Sequence, residues 1–160
     1  FLDVSYEDLN KLEIPEIFKN TPIIELRTPL PKQKEIIINE TLPICIYNFY
    51  NLDPLWKKNE LANRVLLLEP SHFEQYPVSQ KTIEFIINIA KKNIPNIKIY
   101  VGEFNILKTT YNSVKIYYKE HPLNNHYQGI EEPREWMFDV KGYYPSFFSF
   151  WKKCKKQLKY

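Results

Sequence analysis

Seven polar side chains follow closely on apolar segments, and their carboxylate, imidazole, amide and ammonium groups could bind a small polar ligand. They are Asn48, Asp53, Glu69, His72, Glu103, Lys119 and His121. In an open sheet of parallel strands, ligands bind beyond the carboxyl ends of the strands, and helices that begin there favour anions. The pattern therefore predicts that these seven residues, called the rim below, share one edge of a sheet.

The same residues also fit a purely structural role. Loops between strands and helices are polar as a rule, and the pairs Glu69-Pro70 and His121-Pro122 are typical of turns. Substituting Glu69 and His72 by alanine distinguishes the two hypotheses, because a turn loses only stability whereas a ligand site also loses binding.

Sequence signatures of the common cofactor and metal sites are missing. The glycines are Gly102, Gly129 and Gly142, too dispersed for the loops that hold NAD or ATP. The three histidines and two cysteines lack the spacing of a metal site, and no serine or cysteine lies in a nucleophile motif. The sequence thus predicts no metal site, no catalytic residue and no useful affinity for NAD or FAD.

Four apolar segments predict the strands that would position the rim. Residues 43–49 and 64–68 contain apolar runs that are continuous over 43–47 and 65–68, which is typical of parallel strands buried on both faces. Residues 97–101 and 114–118 alternate apolar and polar side chains, which favours positions nearer the sheet edges.

Helices are predicted between and after these strands. Ser79 can cap a helix that extends to Lys92, with an apolar stripe at helical spacing. Asp53-Pro54 can begin a helical segment toward Ala62, and Pro145-Ser146 can begin a last helix. Alternation of strands and helices predicts a three-layer α/β fold, in which helices cover both faces of a mostly parallel, doubly wound sheet.

The chain divides into an arm, residues 1–35, and an α/β domain, residues 36–160. In the arm, Ser5 can cap a short helix, Tyr6 to Lys11, and four prolines leave room only for short extended pieces such as Ile23 to Leu26. The domain ends in an aromatic-rich tail. One stripe of its last helix is predicted to pack on the sheet or on a partner domain: Phe147, Phe150, Trp151, Cys154 and Leu158.

Charge and cysteine content favour a cytoplasmic protein without a nucleic-acid surface. Net charge is +3, but residues 151–160 hold five lysines and leave 17 basic against 19 acidic residues elsewhere. That is not the broad basic footprint of a nucleic-acid-binding protein. Two distant cysteines favour a reducing compartment. No apolar run is long enough to cross a membrane, and the absence of an initiator methionine suggests a mature fragment or an excised domain.

The ordered motifs resemble the α/β domain of DNA photolyases and cryptochromes. RVLLLEPSHFEQYPVS at 64–79, IKIYVGEF at 97–104 and VKIYYKEHP at 114–122 are similar to successive strand ends of that Rossmann-like domain, and PICIYNFYNLDP would supply its first strand. The whole chain looks closer still to the C-terminal region of a bacterial branch of FAD-binding photolyase-like proteins, through FLDVSYEDLNKLEIPEIF, EPREWMF and GYYPSFFSFWKKC.

This resemblance implies an accessory or structural domain of a photolyase- or cryptochrome-like flavoprotein, which repairs DNA or senses light. FAD and the catalytic residues would belong to a helical domain of the same polypeptide, and DNA would be contacted only through that domain. Two alternatives stay open. One is a module on the rim that binds an antenna chromophore or another small ligand, and the other is a free-standing enzyme of unknown substrate.

Overall fold

The computed structural model describes residues 5–11, 13–14, 16–19 and 25–158. Two short helices in the arm, α1 (Tyr6–Leu9) and α2 (Glu16–Lys19), precede the domain. The strands are β1 (Ile44–Tyr47), β2 (Asn63–Leu68), β3 (Lys98–Val101), β4 (Ile116–Lys119) and β5 (Ile130–Glu132). The helices of the domain are α3 (Pro70–Gln75), α4 (Gln80–Asn93), α5 (Phe104–Thr110) and α6 (Phe147–Cys154), with 3-10 turns at Pro122–Asn124 and Lys155–Gln157.

All five strands pair in parallel, in the order β3-β2-β1-β4-β5. The central strand β1 aligns Ile46 with Val65 of β2 on one side and with Tyr118 of β4 on the other. Because the chain order reverses between β1 and β4, the loops after these two strands flank the topological switch point of the sheet, where such folds bind ligands.

Helices cover both faces of the sheet, which confirms the predicted three-layer, Rossmann-like α/β fold. Ile44 and Ile46 of β1 point into one core layer with Phe104 and Leu107 of α5. The alternate residues of β1 pack with α3 and α4 on the other face: Cys45 and Tyr47 lie with Phe73, Ile83 and Ala90. This division follows from the twofold periodicity of a strand, which sends successive side chains to opposite faces.

The predicted strands agree with the structure to within two residues at each end. The predicted helix from Asp53 to Ala62 is wrong, since residues 54–59 form turns. Lys57 has a φ of 49°, a left-handed conformation that interrupts a right-handed helix. The Arg64 guanidinium holds this loop by donating to the carbonyl oxygens of Lys57 and Glu60, at 2.6 and 3.0 Å.

Two helices absent from the sequence-based prediction complete the layers. Helix α3 begins at Pro70 directly after β2, and α5 lies between β3 and β4, where the sequence predicts no helix. At six and seven residues, both are too short for a clear helical period in the sequence. The predicted caps are confirmed at Ser79 and at Ser146, whose side-chain oxygens accept from the backbone of Thr82 and Ser149.

The arm continues into the domain along the outer edge of β3, over residues 31–37. Its side-chain oxygens cap backbone donors of the domain: Gln33 Oε1 accepts from Val101 N at 2.6 Å, and Thr28 Oγ1 accepts from Val78 N at 2.7 Å. Ser5 caps α1, as predicted, by accepting from Asp8 N. The predicted extended piece from Ile23 to Leu26 falls mainly outside the described residues.

The aromatic tail is only partly packed. Cys154 is fully buried, but Phe147 and Phe148 are 67% and 73% exposed at the start of α6. None of the helices in the described part of the chain has the length and apolar character of a membrane span.

Candidate functional site

Three of the rim residues line one small pocket at the switch point. Asn48 follows β1, whereas Glu69 and His72 lie at the end of β2 and in α3. The segment after β4, residues 120–127, closes the pocket through Leu123 and Tyr127. Parallel pairing brings these loops together, because all five strands end at the same edge of the sheet.

Glu69 is the most completely coordinated group of the pocket. Its side chain is 7% exposed, and its carboxylate accepts from Phe104 N at 2.9 Å and from the Tyr127 hydroxyl at 3.0 Å. His126 Nε2 lies 3.0 Å from Oε1 and 3.1 Å from Oε2. These contacts join β2, the first turn of α5 and the segment after β4 through one carboxylate. They also offset the cost of burying a charged group.

Tyr127 serves Glu69 as a hydrogen-bond donor. Burial, together with the negative charge of Glu69 and the hydrogen bond to it, raises the pKa of the Tyr127 phenol far above its ordinary value. The hydroxyl therefore keeps its proton and uses it in a hydrogen bond to the carboxylate. The Tyr127 ring stacks on Phe104 at 4.4 Å between centroids, which fixes the direction of the hydroxyl.

Asn48 fixes the segment after β4 to the end of β1. Its Nδ2 donates to Asn124 Oδ1 at 2.9 Å, and its Oδ1 accepts from Tyr50 N at 3.0 Å. Asn124 in turn donates to the carbonyl oxygen of Lys119 at 3.0 Å. Both asparagines are buried, so this chain of hydrogen bonds satisfies amides that would otherwise destabilise the fold.

Two histidines of the rim meet at Tyr50. The Tyr50 hydroxyl lies 3.2 Å from His72 Nε2, and its ring stacks on His121 at 4.4 Å between centroids. Burial is the main cause that lowers the pKa of His72 and the pKa of His121 below the ordinary histidine value. His121 also uses Nδ1 to accept from Leu123 N, which requires that this nitrogen carry no proton. Both rings are consequently favoured in the neutral form.

Four rim residues, Asp53, Glu103, Lys119 and His121, lie outside the pocket lining, so the structure does not bring all seven together. Asp53 accepts from Leu55 N at 2.8 Å and fixes the turn after β1. Glu103 accepts from Ser71 N and Oγ at 2.9 and 2.7 Å. Lys119 Nζ donates to the carbonyl oxygen of Pro133 at 3.1 Å. Each of these side chains satisfies a backbone or hydroxyl group of the chain, and Asp53 does so within its own turn, as the turn hypothesis expects.

A second polar cluster joins the loop after β1 to β5. Glu132 accepts from Trp56 Nε1 at 2.7 Å and pairs with Lys57 Nζ at 2.9 Å. Burial acts to raise the pKa of Glu132, but the hydrogen bonds from Trp56 and Lys57 outweigh it and lower the pKa. The hydrogen bond with Glu132 is also the main cause that raises the pKa of Lys57. Every charged group here has a protein partner, which indicates a structural role.

Sequence reasoning missed the residues that complete the pocket: Asn124, His126 and Tyr127. They lie in HPLNNHYQG, directly after the fourth strand. The position of this segment could have identified them, since loops that follow strands at a switch point form ligand sites in open α/β sheets. The topology that places β4 beside β1 was needed to recognise that position.

The pocket does not fit a flavin or a dinucleotide. Its cavity volume is about 20 Å³, which holds about one water molecule. Within the described residues, no group of three or more histidine, cysteine, aspartate or glutamate side chains is placed to hold a metal ion. The hydrogen bonds of the pocket pair its buried polar groups with one another and hold them in position.

Comparison of the chain with protein families, with curated protein sequences and with solved structures yields no significant match.

Proposed function

We propose that this chain is an accessory α/β domain of a photolyase- or cryptochrome-like flavoprotein and has no catalytic role of its own. FAD would be bound by a helical domain of the same polypeptide, and light-dependent DNA repair or photoreception would take place there. The motifs at 64–79, 97–104 and 114–122 suggested this family. They lie at β2, β3 and β4 of a parallel sheet, as the resemblance requires.

The observation that carries the accessory role is the saturation of Glu69. A catalytic or ligand-binding carboxylate needs a lone pair directed at its substrate. Glu69 instead uses both oxygens on Phe104 N, Tyr127 and His126. Burial also raises the pKa of the Cys45 thiol to about 11, so that potential nucleophile is inert at neutral pH.

The helical domain would dock on the exposed aromatic surface of the tail. Five large apolar side chains of the tail are 61–90% exposed: Trp136, Met137, Tyr143, Phe147 and Phe148. The rings of Phe147 and Phe148 are neighbours, 5.7 Å apart between centroids, and exposed apolar patches mark protein interfaces. Both cysteines are free and buried, which fits a cytoplasmic protein.

The test is to isolate the complete gene product and examine it for flavin and for a helical domain before Phe1. We expect the complete protein to contain bound FAD. We also expect a protease to cleave the native protein only slowly between its two domains. Replacing Phe147 and Phe148 by serine should accelerate that cleavage. The matched control is Leu61→Ser, which changes an 80% exposed residue far along the chain from α6. A gene product without a flavin domain rejects the proposal.

A small-ligand module remains the second candidate because Asn48, Glu69 and His72 converge at the switch point. Such a ligand, including an antenna chromophore, would have to displace the segment after β4. Near-ultraviolet and visible absorption of the complete protein, after subtraction of the flavin spectrum, tests this. A second chromophore that is lost in Glu69→Ala and His72→Ala, with folding retained, would favour the module.

A further inference from the structure

A cleft separates the arm from the edge strand β3. Residues 33–37, where the arm joins the domain, run beside β3, because Gln33 reaches Val101 and the Lys98 ammonium donates to the carbonyl oxygen of Ile37. These contacts come from side chains, so the two backbones stay apart instead of pairing as strands. The cleft between them has a volume of about 590 Å³, within the range of ligand-binding clefts.

The backbone of β3 offers open hydrogen-bonding groups to this cleft. Gly102 N donates to Leu68 O of β2, and residues of a strand alternate in the edge to which they direct N–H and C=O. Val101 and Ile99 therefore direct theirs away from β2, into the cleft. Val101 N is capped by the Gln33 side chain. Ile99 has no backbone partner on that edge within residues 25–158.

The walls of the cleft are apolar and its margin is basic. Ile87 of α4 lines it beside Ile99, and Ile37, just after the arm, lines it with 84% of its surface exposed. Lys32, Lys34 and Lys91 surround the opening. None of these three lysines forms an ion pair with any part of the chain that the structure describes. The single acidic residue of the lining is Glu35.

We propose that this cleft binds an extended acidic peptide, which adds a sixth strand to the sheet between β3 and the arm. The open N–H and C=O of Ile99 pair with its backbone, and a peptide carbonyl replaces the Gln33 side chain at Val101. Apolar side chains on one face of the peptide contact Ile87 and Ile99. The acidic side chains of the peptide pair with the lysines at the margin of the cleft. Strand addition of this kind takes affinity from the main chain and specificity from alternate side chains.

Length and charge both favour a peptide over a compact anion. Strand β3 has four residues, which at about 3.3 Å per residue presents an edge for a peptide of similar length. The lysines come from the arm and from α4, so they match charges distributed along a chain. Lysines beside an edge strand can also serve to prevent the self-association of sheets. A peptide-binding measurement distinguishes that role from recognition of an acidic peptide.

Fluorescence anisotropy of a labelled hexapeptide of alternating glutamate and valine, added to the whole chain, tests the proposal. We expect saturable binding and no binding of the matched lysine–valine hexapeptide. Lys34→Glu and Lys91→Glu should each weaken binding by roughly two- to fivefold or more. Lys152→Glu is the control: it changes the net charge equally but lies on α6, outside the cleft. Absence of binding, or equal loss in the control, overturns the proposal.

Backbone pairing is tested with two N-methylated hexapeptides, one methylated at the valines and one at the glutamates. Each removes the N–H donors from one edge of the peptide, so the version whose methyl groups face β3 must fail to bind. The amide resonances of Ile99 and Val101 should shift on binding of the parent peptide. If both methylated peptides bind as the parent does, or if laurate displaces the peptide while those resonances stay unchanged, the cleft is an apolar anion site and the proposal fails.

Discussion

Glu69 shows how one side chain can organise a sheet edge. The carboxylate receives a backbone donor from α5 and a hydroxyl donor from Tyr127, and it lies beside His126. Hydrogen bonds to a buried charged group are stronger than neutral ones. An acid at the end of a strand, which in other α/β proteins contacts a ligand, here holds three segments of its own chain together.

We expect Glu69→Ala to lower the free energy of unfolding by about 2–4 kcal/mol, because it leaves Phe104 N and the buried Tyr127 hydroxyl without an acceptor. Glu69→Gln keeps one acceptor oxygen and should cost less. Urea denaturation measures both. Glu74→Ala, one turn along α3 at an exposed position, serves as the control and should have little effect. A loss no larger than that of the control would contradict the structural role of Glu69.

The two neutral histidines predict how stability depends on pH. Their folded pKa values lie below the ordinary histidine value of 6.5, so the unfolded chain binds more protons as the pH falls from about 7 through that value. Stability should therefore decrease on acidification in this window and recover as the pH rises. Glu69, which acts to raise the pKa of His72, and His126, which acts to lower it, are the charged groups facing that ring.

The double variant His72→Gln and His121→Gln should flatten this dependence, because glutamine does not titrate. Thermal unfolding at a series of pH values between 5 and 8 measures the slope. A single variant should remove part of the slope only. An unchanged slope in the double variant, or a native chain that gains stability toward pH 5.5, would show that other groups dominate the titration.

At the scale of elements, the edge strand β5 depends on a glycine. A Cβ atom on Gly129 would lie 2.5 Å from the carbonyl oxygen of Ile116, far closer than van der Waals contact allows. The next residue, Ile130, pairs with Tyr117 of β4. Only glycine lets the chain approach β4 this closely and begin a strand of three residues.

Gly129→Ala should consequently displace β5 and lower the free energy of unfolding by about 1–3 kcal/mol. Gly102→Ala is the comparison, since the added Cβ would meet the side chain of Tyr100, and this ring can move. Amide hydrogen exchange of residues 130–132 should accelerate in the first variant and stay near the native rate in the second. Equal exchange rates in both would reject this account of β5.

For the whole molecule, the volume of the switch-point pocket and the lack of a glycine loop limit which cofactors the expected ligand position can hold. The switch-point pocket has room for about one water, and the glycine loop of dinucleotide sites is missing from the sequence. We therefore expect titration of the chain with FAD and with NAD to show no saturable binding at micromolar concentration. Flavin fluorescence and calorimetry measure it. Micromolar binding of either cofactor would overturn both the accessory role and the assignment of FAD to another domain.

Strand positions could be predicted because the information is local. A run such as VLLL at 65–68 is apolar on both faces, and only a strand between two helical layers buries both. Ser79 and Ser146 predicted helix starts for the same reason, since a cap bonds its own first turn. Local patterns therefore determined the four longer strands, the helix α4, the start of α6 and the parallel three-layer class.

Contacts between distant segments could be decided only by the tertiary structure. Glu69 and His126 are 57 positions apart and Asn48 and Asn124 are 76 apart, and no local preference specifies such partners. The rim prediction placed Asp53, Glu103 and Lys119 in a common site. In the structure each of them bonds instead to a backbone or hydroxyl group outside the pocket. A polar side chain at a strand end forms its hydrogen bond with whichever group the folded chain brings within reach. The order of strands, not the order of residues, determines which group that is.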